Sequence, residues 1–296
     1  MSSRTDDDRD CADDGRGFSG FIRSLLSGIP WSESAHAEET LVLDPPEGRH
    51  MSIHNANGKT RVYGEDRDDV EIQVEKHARA ESVAAANAVL DDIEVVTEEV
   101  NGGLDVEVVA PSRWKRHGSA NLSVRVPRDM EVAVIAANGR VCMEGLRSAV
   151  HARSSNGPVT ISDVVGDVEV FTSNAKVRCS CTCGRLKARS SNSKIQLDDH
   201  SGSVDASTSN GVIHAVLSAT GPDGILLATS NGRIMLELPE NVDGDLDVRV
   251  DNGVIRNSLG VEQAASDERS GRLRGRLGRG GCPIKLRTSN GTVSLR

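Results

Sequence analysis

Aromatic residues are scarce in this sequence. Three Phe, two Trp and one Tyr amount to 2% of 296 residues. A core left to Val, Ile, Leu and Ala suits thin, regular layers better than a deep globular centre or an aromatic-lined pocket. Long apolar runs are missing too: no stretch of about 18 residues would serve as a membrane-spanning helix. There is no excess of positive charge. Lys and Arg number 35 against 44 Asp and Glu, a net charge of -9, and nucleic acid is not expected as a partner. Cys11, Cys142, Cys179, Cys181, Cys183 and Cys282 lack the regular framework of a small disulfide-stapled domain, and a reducing compartment suits them better. The eight His include no HExxH, and no nucleophile elbow, paired-carboxylate context or phosphate-cradling Gly-rich loop is found. No catalytic, cofactor-binding or metal-ligating set is therefore predicted, and no cofactor.

What is present changes along the chain. Residues 1–17 carry Asp6, Asp7, Asp8, Asp10, Asp13 and Asp14 without apolar periodicity and read as a disordered acidic tail. In 18–31, Phe18, Phe21, Ile22, Leu25, Leu26 and Ile29 share one face of a short amphipathic helix that Pro30 stops. That helix either docks on the folded body or touches a membrane surface through residues 18–29. The stretch 35-AHAEE-39 resembles a cleavage site, but the Asp-rich start and Arg23 do not suit a secretory leader. A cytoplasmic or peripherally membrane-associated location is expected. Residues 32–130 form an N-terminal strand and helix part: alternating strands at 41–65 and 70–78, a helix within 79–93, strands at 93–100, 104–111 and 121–127, and a basic loop at 111–119.

From residue 131 to 296 the chain is periodic. Asn138, Asn156, Asn174, Asn192 and Asn210 follow at intervals of 18, then Asn231 and Asn252 at intervals of 21, and finally Asn290. Three residues beyond each Asn stands Val141, Val159, Val177, Ile195, Ile213, Ile234, Ile255 or Val293. Five beyond stands an apolar residue in every repeat except at Asn257. A second alternating strand precedes each corner, as in Val150/Ala152 and Val168/Val170. Each repeat is thus two short strands joined by a bend and closed by a polar corner, Ser/Thr-Ser-Asn in six of the eight. Alone it cannot bury its apolar face; stacked in parallel on its neighbours it can. The fold predicted is all-β, a single-stranded parallel β-helix (a β-solenoid) of 18–21 residues per coil, with a long loop at 262–281. Stacked coils set Asn over Asn, so the eight Asn are expected to form a structural amide ladder. The preceding Ser or Thr would form a second, shorter one.

Two clusters stand out. In 179-CSCTC-183, Cys179 is expected inside, with Cys181 and Cys183 at the bend near His200. Three thiols at alternate positions do not match paired zinc ligands, and an inert buried Cys is the expectation. Lys176, Arg178, Arg185, Lys187, Arg189 and Lys194 occupy outward positions of adjacent coils. They read either as a solvated face that discourages lateral association or as a surface for a polyanionic or acidic partner.

The motifs 154-SSNGPVTI-161, 207-STSNGVI-213, 228-ATSNGRIMLEL-238 and 287-RTSNGTVSL-295, with 57-NGKTRVYG-64 and 122-LSVRVPRDMEVAVIAANGRV-141 before them, resemble the bacterial putative-adhesin family, the DUF4097-type β-strand-repeat proteins. The resemblance spans residues 41–296 and implies this fold, an adhesive role and no catalytic residues. The function expected is a non-catalytic structural or adhesive scaffold acting through protein–protein contacts or self-assembly. A binding module for a polyanionic or acidic partner is the alternative, and a β-helix enzyme acting on polysaccharide a third reading. The coil 290-NGTVSLR-296 is expected to be left uncovered, which would favour end-to-end homo-oligomers.

Overall fold

The computed structural model describes residues 33–111, 113, 117–267 and 271–296. The acidic tail at 1–17, the amphipathic helix at 18–31 with its membrane contact, and the centre of the basic loop at 111–119 lie outside them.

Eighteen strands join in one continuous hydrogen-bonded sheet, and the one helix among the described residues is Val83–Asp91. The sheet winds into a β-solenoid. Each coil supplies a strand before its Asn and another after it, giving two long parallel columns. Val150–Ser154 lies in register between Glu131–Ala136 and Val168–Thr172, Val150 pairing with Val132 and Val168. In the second column Val159–Val165 lies between Val141–Glu144 and the strand starting at Val177. The expected inward positions are closed to solvent: Val150, Val159, Ile161, Val170, Val177, Leu186, Ile195 and Leu197 are all buried. None of the buried core side chains among the described residues is aromatic. Stacked Val, Ile, Leu and Ala fill the narrow gap between two sheets that pack about 10 Å apart.

The corner Asn side chains form the ladder. Each Nδ2 donates to an Oδ1 on the adjacent coil: Asn156 to Asn138 at 2.9 Å, Asn174 to Asn156 at 3.2 Å, Asn192 to Asn174 at 2.9 Å, and Asn210 to Asn192 at 3.0 Å. Asn231 continues to Asn210 at 2.9 Å. Asn57 joins it as well, accepting from Asn138 at 3.1 Å. The hydroxyls two places before the Asn make no ladder of their own. Ser154 Oγ donates to the Gly157 carbonyl at 2.8 Å and accepts from the Gly157 amide at 3.1 Å, pinning the turn within its own coil.

At both ends of the stack the coils leave chain order. The first coil, His50–Asn55 and Thr60–Glu65, sits between residues 131–144 on one side and 104–127 on the other. At the far end, Cys282–Leu295 sits between residues 225–236 and 244–257. The ladder follows this spatial order, Asn290 donating to Asn231 at 2.8 Å and Asn252 to Asn290 at 3.2 Å. The expectation that the coil of Asn290 is left uncovered is therefore corrected: it is internal, and the outermost coil is 244–257. The physical reason is that parallel pairing depends on matching columns and not on sequence adjacency. Two residues mark 244–257 as outermost. Asn257 stands where the other coils have an apolar residue and binds its own turn, accepting from the Leu259 amide at 3.0 Å. Val250 replaces the Ser or Thr before the corner.

The predicted loop at 262–281 is also corrected. It contains two antiparallel strands, Glu262–Asp267 and Arg272–Leu277, and the second pairs antiparallel with residues 244–249, covering that end of the first column. At the opposite end Glu94–Val100 covers Gly103–Val109, and Val70–Ala80 with Glu33–Leu43 covers Gly118–Pro127. The helix packs Ala86, Val89 and Leu90 into this cap. Its N-terminus is closed by Ser82, whose side chain accepts from the Ala85 amide at 3.2 Å.

Removing an amide from the middle of the ladder breaks two bonds and removing one at its end breaks one. Asn174→Ala should lower stability by about 1–3 kcal/mol, and Asn252→Ala by roughly half as much. Denaturant unfolding followed by circular dichroism checks the ranking.

Candidate functional site

Three residue columns meet just before the ladder and make an open trench of about 780 Å³ running across seven coils. Its floor is the buried hydroxyl column, including Ser154, Thr172, Ser190, Thr208, Thr229 and Thr288. One wall is a row of exposed serines at the position before the Asn, such as Ser191, Ser209 and Ser230, with Asp251 in that place on the outermost coil. The other wall runs in spatial order Arg153, Phe171, Arg189, Ser207, Ala228, Arg287 and Arg249. Strand alternation explains the pattern: the floor residue of each coil points inward and its two chain neighbours outward. Two floor hydroxyls, Ser190 Oγ and Thr288 Oγ1, have no hydrogen-bond partner among the described residues. The Phe171 ring has Arg153 at 5.6 Å and Lys187 at 5.2 Å from its centroid. Arg189 forms a bidentate pair with Asp205.

The six basic residues singled out in the sequence do not gather into one patch. Arg185, Lys187 and Arg189 lie on the first column; Lys176, Arg178 and Lys194 lie at the second. Most meet an acid one or two coils away. Arg178 reaches Asp198 at 3.3 Å, Arg185 pairs with Asp223, and Lys187 with Glu169. Lys176 is engaged as well. The ammonium of Lys187 beside Glu169 holds that carboxyl below the usual carboxylate range. Of the six, Arg189 alone lines the trench. The residues missed are the serine row, Arg153, Arg249 and Arg287. The repeated Ser/Thr-Ser-Asn triplet was the signal for the row.

The cysteines do not converge. Cys179 is buried as expected, and burial pushes its thiol up to about 12. Cys181 and Cys183 are exposed. Cys181 has a φ of 52°, in one column with Gly145, Asp163 and Asp199, all at positive φ. This left-handed residue shifts the alternation by one, so that Thr182 and His200 turn inward and Cys181 outward. His200 Nδ1 lies 2.9 Å from Thr182 Oγ1, while its Nε2 has no partner among the described residues. No group of three His, Cys, Asp or Glu suited to a metal ion occurs among the described residues. No helix there is long and apolar enough to cross a membrane.

The sequence matches the Toastrack DUF4097 family over residues 49–296, and the chain belongs to that family. No curated protein matches it. Solved structures share the fold at low identity. A protein from Bacteroides fragilis NCTC 9343, named a putative adhesin, is 12% identical with a TM-score of 0.53, over 88% of this chain and 97% of its own. One of the same name from Parabacteroides merdae ATCC 43184 is 9% identical with a TM-score of 0.48, over 88% of this chain and 96% of its own.

Burial holds the His200 imidazole below its ordinary value of 6.5. Above that pH the folded and unfolded chains are both neutral at this residue. As pH falls below it, the unfolded chain takes up a proton that the folded chain resists, and stability declines. The denaturant midpoint should drop between about pH 7.5 and pH 5.5. His200→Val, which places there the residue type of Val164 two coils away, should flatten that drop. An unchanged drop would remove His200 as its source.

Proposed function

We propose that the protein is a non-catalytic adhesive scaffold that works through protein–protein contacts, self-association included. One observation carries this reading. Of the two sheet columns at the outermost coil, the first is covered by Arg272–Leu277, whereas residues 252–257 pair with 290–295 on one side and with nothing among the described residues on the other. Val254 is 54% exposed there, and its neighbours Gly253 and Arg256 are exposed as well. An uncovered parallel strand presents unpaired amides and carbonyls to another chain. The ladder supports the reading, because it holds outward side chains at fixed spacing along a stack whose interior is filled. The Bacteroides fragilis protein bears an adhesin's name, and the reading agrees with it, though that likeness extends to the fold alone.

Sedimentation velocity over a range of concentrations tests the proposal. The native protein should shift toward dimers as concentration rises. Val254→Lys, a charge on the open edge, should keep it monomeric with an unfolding free energy changed by less than about 0.5 kcal/mol. A native protein that stays monomeric throughout would sink the self-association reading.

A further inference from the structure

We propose that the trench is a binding groove for an extended anionic polysaccharide. The proposal stands independently of self-association at residues 252–257. Seven in-register coils spaced by about 4.8 Å give a straight groove of roughly 29 Å, which suits a linear polymer. Its chemistry is divided along its length. Arg153 stands toward one end with Arg189 two coils along, whose guanidinium is already held by Asp205; Arg287 and Arg249 stand at the other, and the small Ser207 and Ala228 lie between them. Arg153 and Arg249 make no ion pair with the described residues, and Asp251 is the one acid lining the groove. On a chain of net charge -9, this is a local reversal of sign. Guanidinium groups bind carboxylate and sulfate by paired hydrogen bonds.

Between the two arginine pairs the groove offers hydroxyls. Each serine of the row both donates and accepts, as sugar hydroxyls do. The unpartnered Ser190 and Thr288 hydroxyls add two polar groups on the floor, nine-tenths or more buried. Such a surface fits a chain whose acidic groups are separated by neutral, hydroxyl-rich units. Single-stranded nucleic acid fits less well, because it binds largely by stacking bases on aromatic rings. Phe171 is the one aromatic residue lining the trench, and its ring is already flanked by Arg153 and Lys187.

Calorimetric titration of the full-length protein with polygalacturonate and with dextran sulfate tests the proposal, with neutral dextran, polyphosphate and oligothymidylate as comparators. Saturable binding of at least one of the two acidic polysaccharides, tighter than that of every comparator, is expected. The double variant Arg249→Glu/Arg287→Glu should weaken it about tenfold or more. Ser209→Glu, in the serine row and remote from those arginines, should weaken it as well. Lys285→Glu, exposed on the same column but outside the trench, should leave it within about twofold of native. Far-UV circular dichroism identifies any variant that has lost its fold, and Ser209→Glu then decides in place of the double variant. Failure of both acidic polysaccharides to bind, equal binding of neutral dextran, tighter binding of polyphosphate or oligothymidylate, or unchanged affinity in the folded trench variants would each overturn it.

Discussion

The structure depends on parallel pairing in register between coils that cannot hold a core alone. One coil offers two or three small apolar side chains per strand, far too few to offset the cost of ordering its backbone. Stacking repairs this by repeating every column, apolar over apolar and amide over amide. The same constraint governs the corners, where backbone lies directly on backbone. A Cβ on Gly157 would come within 1.7 Å of the Gly139 carbonyl oxygen. Ala175 and Ser193 carry a Cβ at the equivalent place, so two coils have adjusted their corners while keeping their Asn in the ladder.

Much of this was legible in the sequence. The spacing of Asn138 to Asn210 set the coil length, and the valines and isoleucines three residues later set the inner face. Coil order was not legible, because every coil presents nearly the same columns and pairwise matching cannot rank neighbours. Val250 and Asn257 held the missing signal: a coil with polar Asn in a core column suits an end position. The stretch after residue 262 read as a loop on its Arg- and Gly-rich composition, although Arg272–Leu277 alternates Arg with Leu273, Gly275 and Leu277. Leu273 and Leu277 are buried. The cysteine geometry was hidden for another reason. A single left-handed residue at Cys181 changes which side of the strand each later residue faces, and residue type alone does not announce that conformation.

The trench was hidden in a different way. Its parts were visible as a repeated Ser/Thr-Ser-Asn corner, but they read as coil boundaries because each triplet alone has too few groups to bind anything. Stacking turns one hydroxyl into a row and isolated arginines into paired clusters. In a solenoid the sites for recognition arise along columns, across residues far apart in sequence. Arg249 and Arg287, 38 positions apart, are direct neighbours. Exchange of the last two coils keeps that adjacency and sets Arg287 beside Ala228 and Arg249 outermost.

Exchange of coil order is the central structural claim, and hydrogen–deuterium exchange of the native protein tests it most directly. A strand inside the stack has its amides bonded and covered, whereas the outermost parallel strand has amides open to solvent. Residues 284–295 should exchange as slowly as residues 225–236, and residues 252–257 should be among the fast-exchanging parts of the solenoid. Slow exchange at 252–257 together with fast exchange at 290–295, the pattern expected of coils stacked in chain order, would contradict it.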